Sequence, residues 1–145
     1  MKVRAEVRYR LEHGEEPDLL STPEDVDALI DSLLVGSPFE NLAQIHSTER
    51  DLLPAFGDPD HELMVGVNKV LQVGVLSFMD GNGNVATRGS SNGRESPVYY
   101  IQGQMTEFPA CSEIPIDVVR RAVKEFLFSG GQRPTCVEWQ ELDTW

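Results

Sequence analysis

The chain has few positive charges, few cysteines and no long apolar run. Its 145 residues contain 12 Lys and Arg against 24 Asp and Glu, so the formal net charge is −12. Nucleic acid and anionic membranes repel such a chain, which argues against both as partners. No apolar run is long enough to cross a bilayer. The first residues, MKVRAEVRYRLE, also lack the apolar centre of a signal peptide. We therefore expect a cytoplasmic protein.

Metal-binding residues are scarce as well. Cys111 and Cys136 are the only cysteines, and they have neither a short metal-ligand spacing nor the number needed for a disulfide framework. Small, buried or half-buried thiols in a reducing compartment are the expectation for both. His13, His46 and His61 are far apart and form no ligand pattern. We expect neither a metal nor a cofactor.

Catalytic motifs are missing too. No serine sits in a nucleophile elbow, and no glycine-rich loop ends in Lys-Ser/Thr. Glu107 and Glu113, near aromatic and apolar residues, are one candidate pair for a general acid and base. The alternative is structural: Glu113 caps a helix and Glu107 meets an arginine. We expect no enzymatic activity and keep a carboxylate enzyme as an alternative.

The negative charge is concentrated in the first part of the chain. Residues 1–62 carry 15 acids and 5 bases, a net charge of −10, whereas residues 63–145 carry 9 acids and 7 bases, a net charge of −2. Opposite potentials steer encounter, so a surface like this suits a basic protein partner. Solubility alone explains many acidic proteins and remains an alternative.

The clearest helix follows Pro115, which suits the first turn of a helix. Apolar residues then recur at three- and four-residue spacing, which predicts one buried face: Ile116, Val119, Val123, Phe126 and Leu127. Asp117 places negative charge at the positive end of the helix dipole. Gly130 and Gly131 supply a left-handed ending, and Pro134 stops the helix from resuming. Residues 135–139, which end in Trp139, are predicted to return as a strand.

The first part of the chain predicts a strand, an acidic loop and a second helix. Residues 3–11 alternate apolar and charged side chains, the pattern of a strand with one wet face. The loop at residues 12–18 leads to a helix with Thr22 as its cap and Pro23 in its first position. Its predicted buried stripe is Val26, Leu29, Ile30 and Leu33, and Gly36-Ser37-Pro38 ends it.

Several strands are predicted between the two helices. They cover residues 41–48, 62–67, 69–78, 85–88 and 97–102, with turns near Asn68 and over residues 80–84. Adjacent strands favour antiparallel pairing. The predicted fold is α+β: a mostly antiparallel sheet with two helices packed on one face, in the order strand-helix-strands-helix-strand. Residues 1–145 are expected to form one domain.

The C-terminal run resembles a known family. The segment TEFPACSEIPIDVVRRAVKEFLFSGGQRPTCVEWQ is similar to the end of the Imm-one immunity proteins of bacterial polymorphic toxin systems. The matching features are Glu107, Ser112-Glu113-Ile114-Pro115, the Phe-Leu end of the helix, Gly130-Gly131, Arg133-Pro134 and Glu138-Trp139. The strand from Gly74 to Asp80, with its glycine-asparagine turn, and Pro97-Val98-Tyr99-Tyr100 also look like the family. The likeness extends over roughly residues 62–140.

This resemblance implies inhibition rather than catalysis. Such proteins bind a toxin domain and block it, and they are often encoded beside deaminase toxins. The implied partner is therefore a cognate toxin encoded by an adjacent gene. A deaminase is favoured by association, and a nuclease or an ADP-ribosyltransferase remains open. An acidic scaffold domain with some other partner is the alternative from a different class.

Charge and expected exposure suggest where a toxin would bind. A toxin that acts on nucleic acid needs a basic groove, and an acidic protein can occupy that groove in a one-to-one complex. The candidate residues come from the acidic loop, from residues 80–100 and from Glu107. They are Glu12, Glu15, Glu16, Asp18, Asp80, Arg88, Arg94, Glu95, Tyr99 and Glu107. The family supplies no catalytic position to transfer.

Overall fold

A computed structural model of the protein describes residues 2–10, 13, 16–54 and 57–142. Within these residues two helices and ten strands form. The helices are α1 (Pro23–Val35) and α2 (Ile116–Phe128). The strands are β1 (Ala5–Arg8), β2 (Asp18–Leu20), β3 (Leu42–Ser47), β4 (Glu62–Asn68), β5 (Val73–Asp80), β6 (Gly83–Arg88), β7 (Val98–Ile101), β8 (Gln104–Glu107), β9 (Ile114–Pro115) and β10 (Glu138–Glu141).

The main sheet is antiparallel, with strand order β10-β6-β5-β4-β3-β1-β2. The two-residue strand β9 also pairs with β5, beside Val73 and Gly74. Strands β7 and β8 form a separate antiparallel hairpin. The predicted α+β class with a mostly antiparallel sheet is confirmed.

Local signals in the sequence set the bounds of α1. The side chain of Thr22 accepts a hydrogen bond from the Asp25 N–H at 3.2 Å, and the Asp25 carboxylate accepts one from the Thr22 N–H at 3.0 Å. This reciprocal pair satisfies backbone donors that the first turn leaves free. Pro23 occupies the first helical position, and the helix ends before Gly36. The four buried residues are the predicted stripe: Val26, Leu29, Ile30 and Leu33.

Helix α2 starts one residue later than expected, because Pro115 occupies the cap position and also pairs in β9. Its buried face contains every residue of the predicted stripe, together with Ala122. Gly130 and Gly131 both adopt positive φ, at 74° and 86°. At Gly131 a side chain is also excluded sterically, since a Cβ would lie 2.5 Å from the Cβ of Ser47. The predicted helix ending is confirmed.

The returning strand begins at Glu138, not at Thr135. The carboxylate of Glu125, on α2, accepts hydrogen bonds from the Thr135 N–H at 2.6 Å, the Thr135 hydroxyl at 2.8 Å and the Cys136 N–H at 3.1 Å. These bonds hold residues 135–136 against the helix, so the chain joins the sheet only afterwards. Trp139 is half-buried, and its indole N–H donates to the Pro134 carbonyl at 2.9 Å.

Both helices pack on the same face of the sheet, as predicted. They run antiparallel, and Arg120 of α2 bonds Asp27 at 3.0 Å and Asp31 at 2.6 Å on α1. The core on this face joins both helices to strands β1 to β5. A second apolar cluster contains no helix residue and lies on the other face, under the β7–β8 hairpin. It consists of Leu42, Met64, Val75, Ala86, Tyr99 and Phe108.

Three short strands were not predicted. Strand β2 falls partly in the predicted acidic loop, β8 follows the predicted strand of residues 97–102, and β9 lies in the segment before α2. In β2 only Leu20 is buried, and no residue of β8 is. Without alternating burial there is no period-two signal to detect. Strand β1 is also shorter than the predicted residues 3–11, of which Leu11 lies outside the described residues.

The two ends of the sheet carry different loops. The Lys69 end contains residues 36–41 after α1, the β4–β5 turn at residues 69–72, and the loop at residues 89–96. The Asp80 end contains residues 48–54 and 57–61, the β5–β6 turn at residues 81–82, and residues 129–137. Neither described helix combines the length and the apolar character needed to cross a membrane.

Candidate functional site

The predicted acidic loop is only partly described. Glu16 and Asp18 are both exposed, and Asp18 opens the edge strand β2. Asp18 pairs with Val7 of β1, and the register from Val7 through Ile45 and Leu63 to Phe78 places it nearer the Asp80 end of the sheet. Glu12 and Glu15 lie outside the described residues, so their part in the predicted site stays a prediction.

The predicted binding residues between positions 80 and 100 do not form one surface. Asp80 is half-buried at the Asp80 end, where its carboxylate accepts a hydrogen bond from the Asn82 N–H at 2.9 Å. Strand β6 then crosses the sheet to the exposed Arg88. Arg94 and Glu95 are exposed at the Lys69 end. The structure therefore separates Asp80 from Arg94 and Glu95 by the length of a strand.

Tyr99 lies inside the protein. Its ring is fully buried, packs edge-on against Phe108 with centroids 5.6 Å apart, and lies over Gly66. A Cβ at position 66 would approach the Tyr99 Cδ2 to 2.7 Å, so the glycine makes room for the ring. The expected exposure of Tyr99 is wrong, because this ring fills the apolar layer between the sheet and the β7–β8 hairpin.

The hydroxyl of buried Tyr99 belongs to a charged cluster with Arg94 and Glu113. Arg94 donates two hydrogen bonds to the Glu113 carboxylate, at 2.7 Å from Nε and 2.6 Å from Nη2. The Tyr99 hydroxyl donates a short hydrogen bond to the same carboxylate. The Glu113 side chain is only 6% exposed, whereas that of Arg94 is 46% exposed. The cluster thus joins the protein interior to the surface of the Lys69 end.

The pKa values in this cluster follow from burial and hydrogen bonding. Burial opposes ionisation of Glu113, yet the hydrogen bonds from Arg94 and Tyr99 outweigh it, and the pKa of Glu113 is lowered. The pKa of Tyr99 is raised, first by burial and then by its hydrogen bond to Glu113. The hydrogen bonds to Glu113 also raise the pKa of Arg94. The cluster therefore holds a carboxylate and a guanidinium, with a neutral phenol between the carboxylate and the core.

Backbone hydrogen bonds fix the loop at residues 89–96 in the same place. The Gly89 N–H donates to the Cys111 carbonyl at 2.6 Å, and the Cys111 N–H donates to the Arg94 carbonyl at 3.0 Å. The Thr87 hydroxyl donates to the Ser112 carbonyl at 2.7 Å. A Cβ on Gly89 would lie 1.9 Å from the Glu113 carbonyl oxygen, so this close approach requires glycine. The loop is thus held in a defined shape.

The two roles predicted for Glu107 and Glu113 change in the structure. Helix α2 has no side-chain cap, so the predicted capping role of Glu113 is wrong. Its carboxylate is occupied by Arg94 and Tyr99 instead. Glu107 is exposed on β8, and the part of the chain that the structure describes holds no ion pair to it. The predicted arginine partner therefore belongs to Glu113 rather than to Glu107.

The Asp80 end has its own network of polar contacts. Arg50 donates two hydrogen bonds to Asp60, at 2.8 and 3.0 Å, and a third to the Gly131 carbonyl at 2.8 Å. His61 contacts Asp60 at 3.0 Å and accepts a hydrogen bond from the Ser47 N–H at 2.8 Å. These contacts hold residues 48–54 and 57–61 to the sheet and to the end of α2.

Histidines near this network are held in their neutral form. The pKa of His46 is lowered to about 4, first by burial and then by the neighbouring His61. Burial also lowers the pKa of His61, against the raising effect of Asp60. Among the described residues, no group of three or more His, Cys, Asp and Glu side chains could hold a metal ion. Both cysteines are half-buried and free.

Sequence reasoning did not find the contact between Arg94 and Glu113. The two residues are 19 positions apart, in segments without periodicity, so neither sequence spacing nor pattern links them. The one available signal was chemical, the opposite charges of an acid and an arginine.

Comparison with known proteins identifies a matching family. A family model described as "Immunity protein Imm1" matches residues 14–141 of the chain. This range includes both helices and all strands except β1. A search of curated proteins found no match.

Proposed function

The chain belongs to the Imm1 family of immunity proteins, and from this premise we propose that it neutralises a nucleic-acid deaminase toxin by forming a one-to-one complex. An immunity protein acts against a toxin, so the coarse function follows from the family. The deaminase chemistry, the stoichiometry and the contact surface are the proposed parts. The complex would form in the cytoplasm, and the toxin would be the product of an adjacent gene.

The charge distribution is the observation that carries this proposal. Ion pairs among the described residues engage Lys2, Arg4, Arg8, Arg50, Arg94, Arg120 and Lys124. These are seven of the 12 Lys and Arg in the chain. Most Lys and Arg side chains are therefore paired with Asp or Glu within the protein. The remaining excess of Asp and Glu gives the molecule a negative electrostatic field. Such a field speeds encounter with a basic protein surface.

The Lys69 end is the proposed contact surface for the toxin. Arg94 and Glu95, both predicted as binding residues, lie at this end and are exposed. The loop that carries Arg94 and Glu95 is already held in shape by the Glu113 cluster and by backbone hydrogen bonds. A surface fixed before binding loses less conformational entropy when the complex forms.

Reconstitution with the adjacent toxin tests the proposal. The purified toxin domain is titrated with this protein while deamination of a single-stranded nucleic acid is followed, and light scattering after size exclusion gives the mass of the complex. We expect inhibition to be complete at one equivalent and the complex to contain one copy of each chain. A toxin that stays fully active at equal concentration contradicts the proposal. A blocked toxin with nuclease activity would contradict only its deaminase part.

Charge reversal locates the contact surface. Glu95→Lys at the Lys69 end should slow association several-fold at low salt. Asp58→Lys is the matched control, because Asp58 is an exposed acid at the Asp80 end. An effect of Asp58→Lys larger than that of Glu95→Lys would move the contact surface to the Asp80 end.

A further inference from the structure

An apolar cleft opens at the Lys69 end, between the last turn of α1 and the β4–β5 turn. Its volume is about 470 Å³. The apolar walls come from Leu33, Leu34, Pro38, Val67, Val70 and Leu71. No Asp or Glu lines it, although acids outnumber bases two to one in the chain. The cleft is therefore an apolar feature in a strongly acidic molecule.

Exposed apolar side chains surround this cleft. Val70 is 89% exposed at the tip of the β4–β5 turn, and Val35 is 77% exposed at the end of α1. Leu71 and Phe39 are exposed beside them, and the Phe39 ring contacts Tyr100 edge-on at 5.1 Å. Four of the nine exposed large hydrophobic side chains in the described part of the chain thus lie at this end. A concentration of this kind marks an interaction surface.

Charge around the cleft indicates what would occupy it. Arg94 lines the cleft, but Glu113 neutralises its guanidinium with two hydrogen bonds. Two exposed acids are chain neighbours of cleft residues: Glu40 precedes Asn41, and Glu95 follows Arg94. A third exposed acid, Asp117, follows Ile116, whose N–H donates to the Gln72 carbonyl of the β4–β5 turn at 3.4 Å. An apolar centre with a charged rim is the usual anatomy of a protein interface.

We propose that this cleft is the anchor pocket for the toxin: it takes one aromatic or branched aliphatic side chain that is flanked by Lys or Arg in the toxin. This inference rests on the proposed function and adds the location of the tightest contact. The exposed acids near the cleft and the net charge of −12 attract the basic flanks, and the apolar walls hold the inserted side chain. Removal of an anchor pocket of this kind raises the dissociation rate more than it lowers the association rate.

Neutral substitutions at the tip of the turn test the pocket without changing charge. Val70→Ser and Leu71→Ser should each raise the Kd for the adjacent gene's toxin domain by roughly tenfold or more, mainly through faster dissociation. Leu52→Ser is the matched control, because Leu52 is 59% exposed at the Asp80 end, and its Kd should stay within about threefold of the original value. Thermal unfolding of each variant shows whether the fold is retained. We expect Val70→Ser to keep the fold, because Val70 is 89% exposed.

A charge substitution tests the flanks of the occupant. Lys69 is exposed, lines the cleft and has no ion pair within the described ranges. If the inserted side chain is flanked by basic residues, Lys69→Glu should speed association several-fold at low salt. Weaker binding by Lys69→Glu would overturn the assignment of basic flanks, and an unchanged Kd for both Val70→Ser and Leu71→Ser would overturn the pocket.

The outcomes separate this inference from the proposed function. Normal binding by the unaltered protein, with no effect of Val70→Ser or Leu71→Ser, leaves the proposed function intact and removes only the pocket. Absence of binding by the unaltered protein contradicts both. A concentration-dependent dimer that Val70→Ser dissociates would assign the cleft to a second copy of the chain, and would also overturn the inference.

Discussion

Replacing Glu113 by glutamine tests whether the charged cluster stabilises the fold. The substitution keeps the size of the side chain and removes the negative charge. If the amide nitrogen replaces Oε2, Arg94 Nη2 at 2.6 Å and the Tyr99 hydroxyl both lose their acceptor. If the side chain turns, the amide nitrogen replaces Oε1, which accepts from Arg94 Nε at 2.7 Å. In either orientation at least one donor loses its acceptor. A buried donor without a partner costs more than the net gain from the bond that it replaced.

The magnitude follows from the exposure of the partners. A hydrogen bond to a charged group contributes about 1.5–3 kcal/mol when it is buried. Glu113 is almost fully buried, but Arg94 is 46% exposed and water compensates part of its loss. We therefore expect Glu113→Gln to lower the free energy of unfolding by about 2 kcal/mol at pH 7. For a domain of this size that corresponds to about 6 °C in Tm.

The pH dependence has a definite sign. Because the folded-state pKa of Glu113 is lowered from 4.5, its contribution is fully present above that ordinary value and is lost as the pH falls through the folded-state pKa. The difference between the original protein and Glu113→Gln should therefore shrink below about pH 4.5. Urea unfolding at pH 7 and at pH 4 measures both differences.

A double-mutant cycle makes the test specific. Tyr99→Phe removes only the hydroxyl and should cost about 1 kcal/mol. Combined with Glu113→Gln it should be non-additive by more than about 0.5 kcal/mol, because the two groups share a hydrogen bond. Glu107→Gln is the control, since Glu107 is exposed, and it should change stability by less than about 0.5 kcal/mol. Additive effects, or a Glu113→Gln protein as stable as the original, would refute the reasoning.

Three further changes have predictable results. Gly66→Ala should lower the free energy of unfolding by about 1–3 kcal/mol, because the added methyl group overlaps the Tyr99 ring, and thermal unfolding measures it. Thr22→Ala removes the side-chain acceptor for the Asp25 N–H and should cost about 1 kcal/mol by urea unfolding, whereas Thr22→Ser should retain most of the stability. His46, whose pKa burial lowers to about 4, should make stability fall as the pH drops from 6.5 toward 4, because the unfolded chain binds the proton first. His46→Gln should flatten that part of the stability profile by up to about 3 kcal/mol, and an equally steep profile would contradict the assignment.

Helices and strands whose caps, prolines and apolar spacing lie within a few residues of one another were predicted from the sequence. Elements that exist because of contacts with distant residues were not. Helix α1 has its cap, its first-turn proline and its apolar stripe within a few residues of one another, so its bounds and all four buried residues were predicted. Strand β8 has no buried residue and exists because it pairs with β7. The start of β10 depends on the Glu125 carboxylate, which lies ten positions before Thr135. The local sequence around Thr135 gives no sign of this contact.

The candidate site shows the same division. The charge imbalance could be predicted from composition, because net charge does not depend on where residues lie in the fold. The burial of Tyr99 could not be predicted, since an aromatic residue in a strand suits either a core or a binding surface. The apolar turn at Val70 and Leu71 was read as part of a strand, and only the observed turn at residues 69–72 shows that these side chains point to solvent.

The coverage of the sheet restricts where a partner can bind. Helices α1 and α2 cover one face, and the β7–β8 hairpin covers part of the other. At the β10 edge, exposed Glu138 and Glu141 oppose pairing with another strand, since charged side chains protect sheet edges. The two ends therefore offer the main accessible loops. The Asp80 end is occupied by internal contacts of Arg50 and Asp60. At the Lys69 end the internal contacts lie below the surface, on Glu113, and the apolar side chains above them remain exposed. This difference favours the Lys69 end as the surface that meets the toxin.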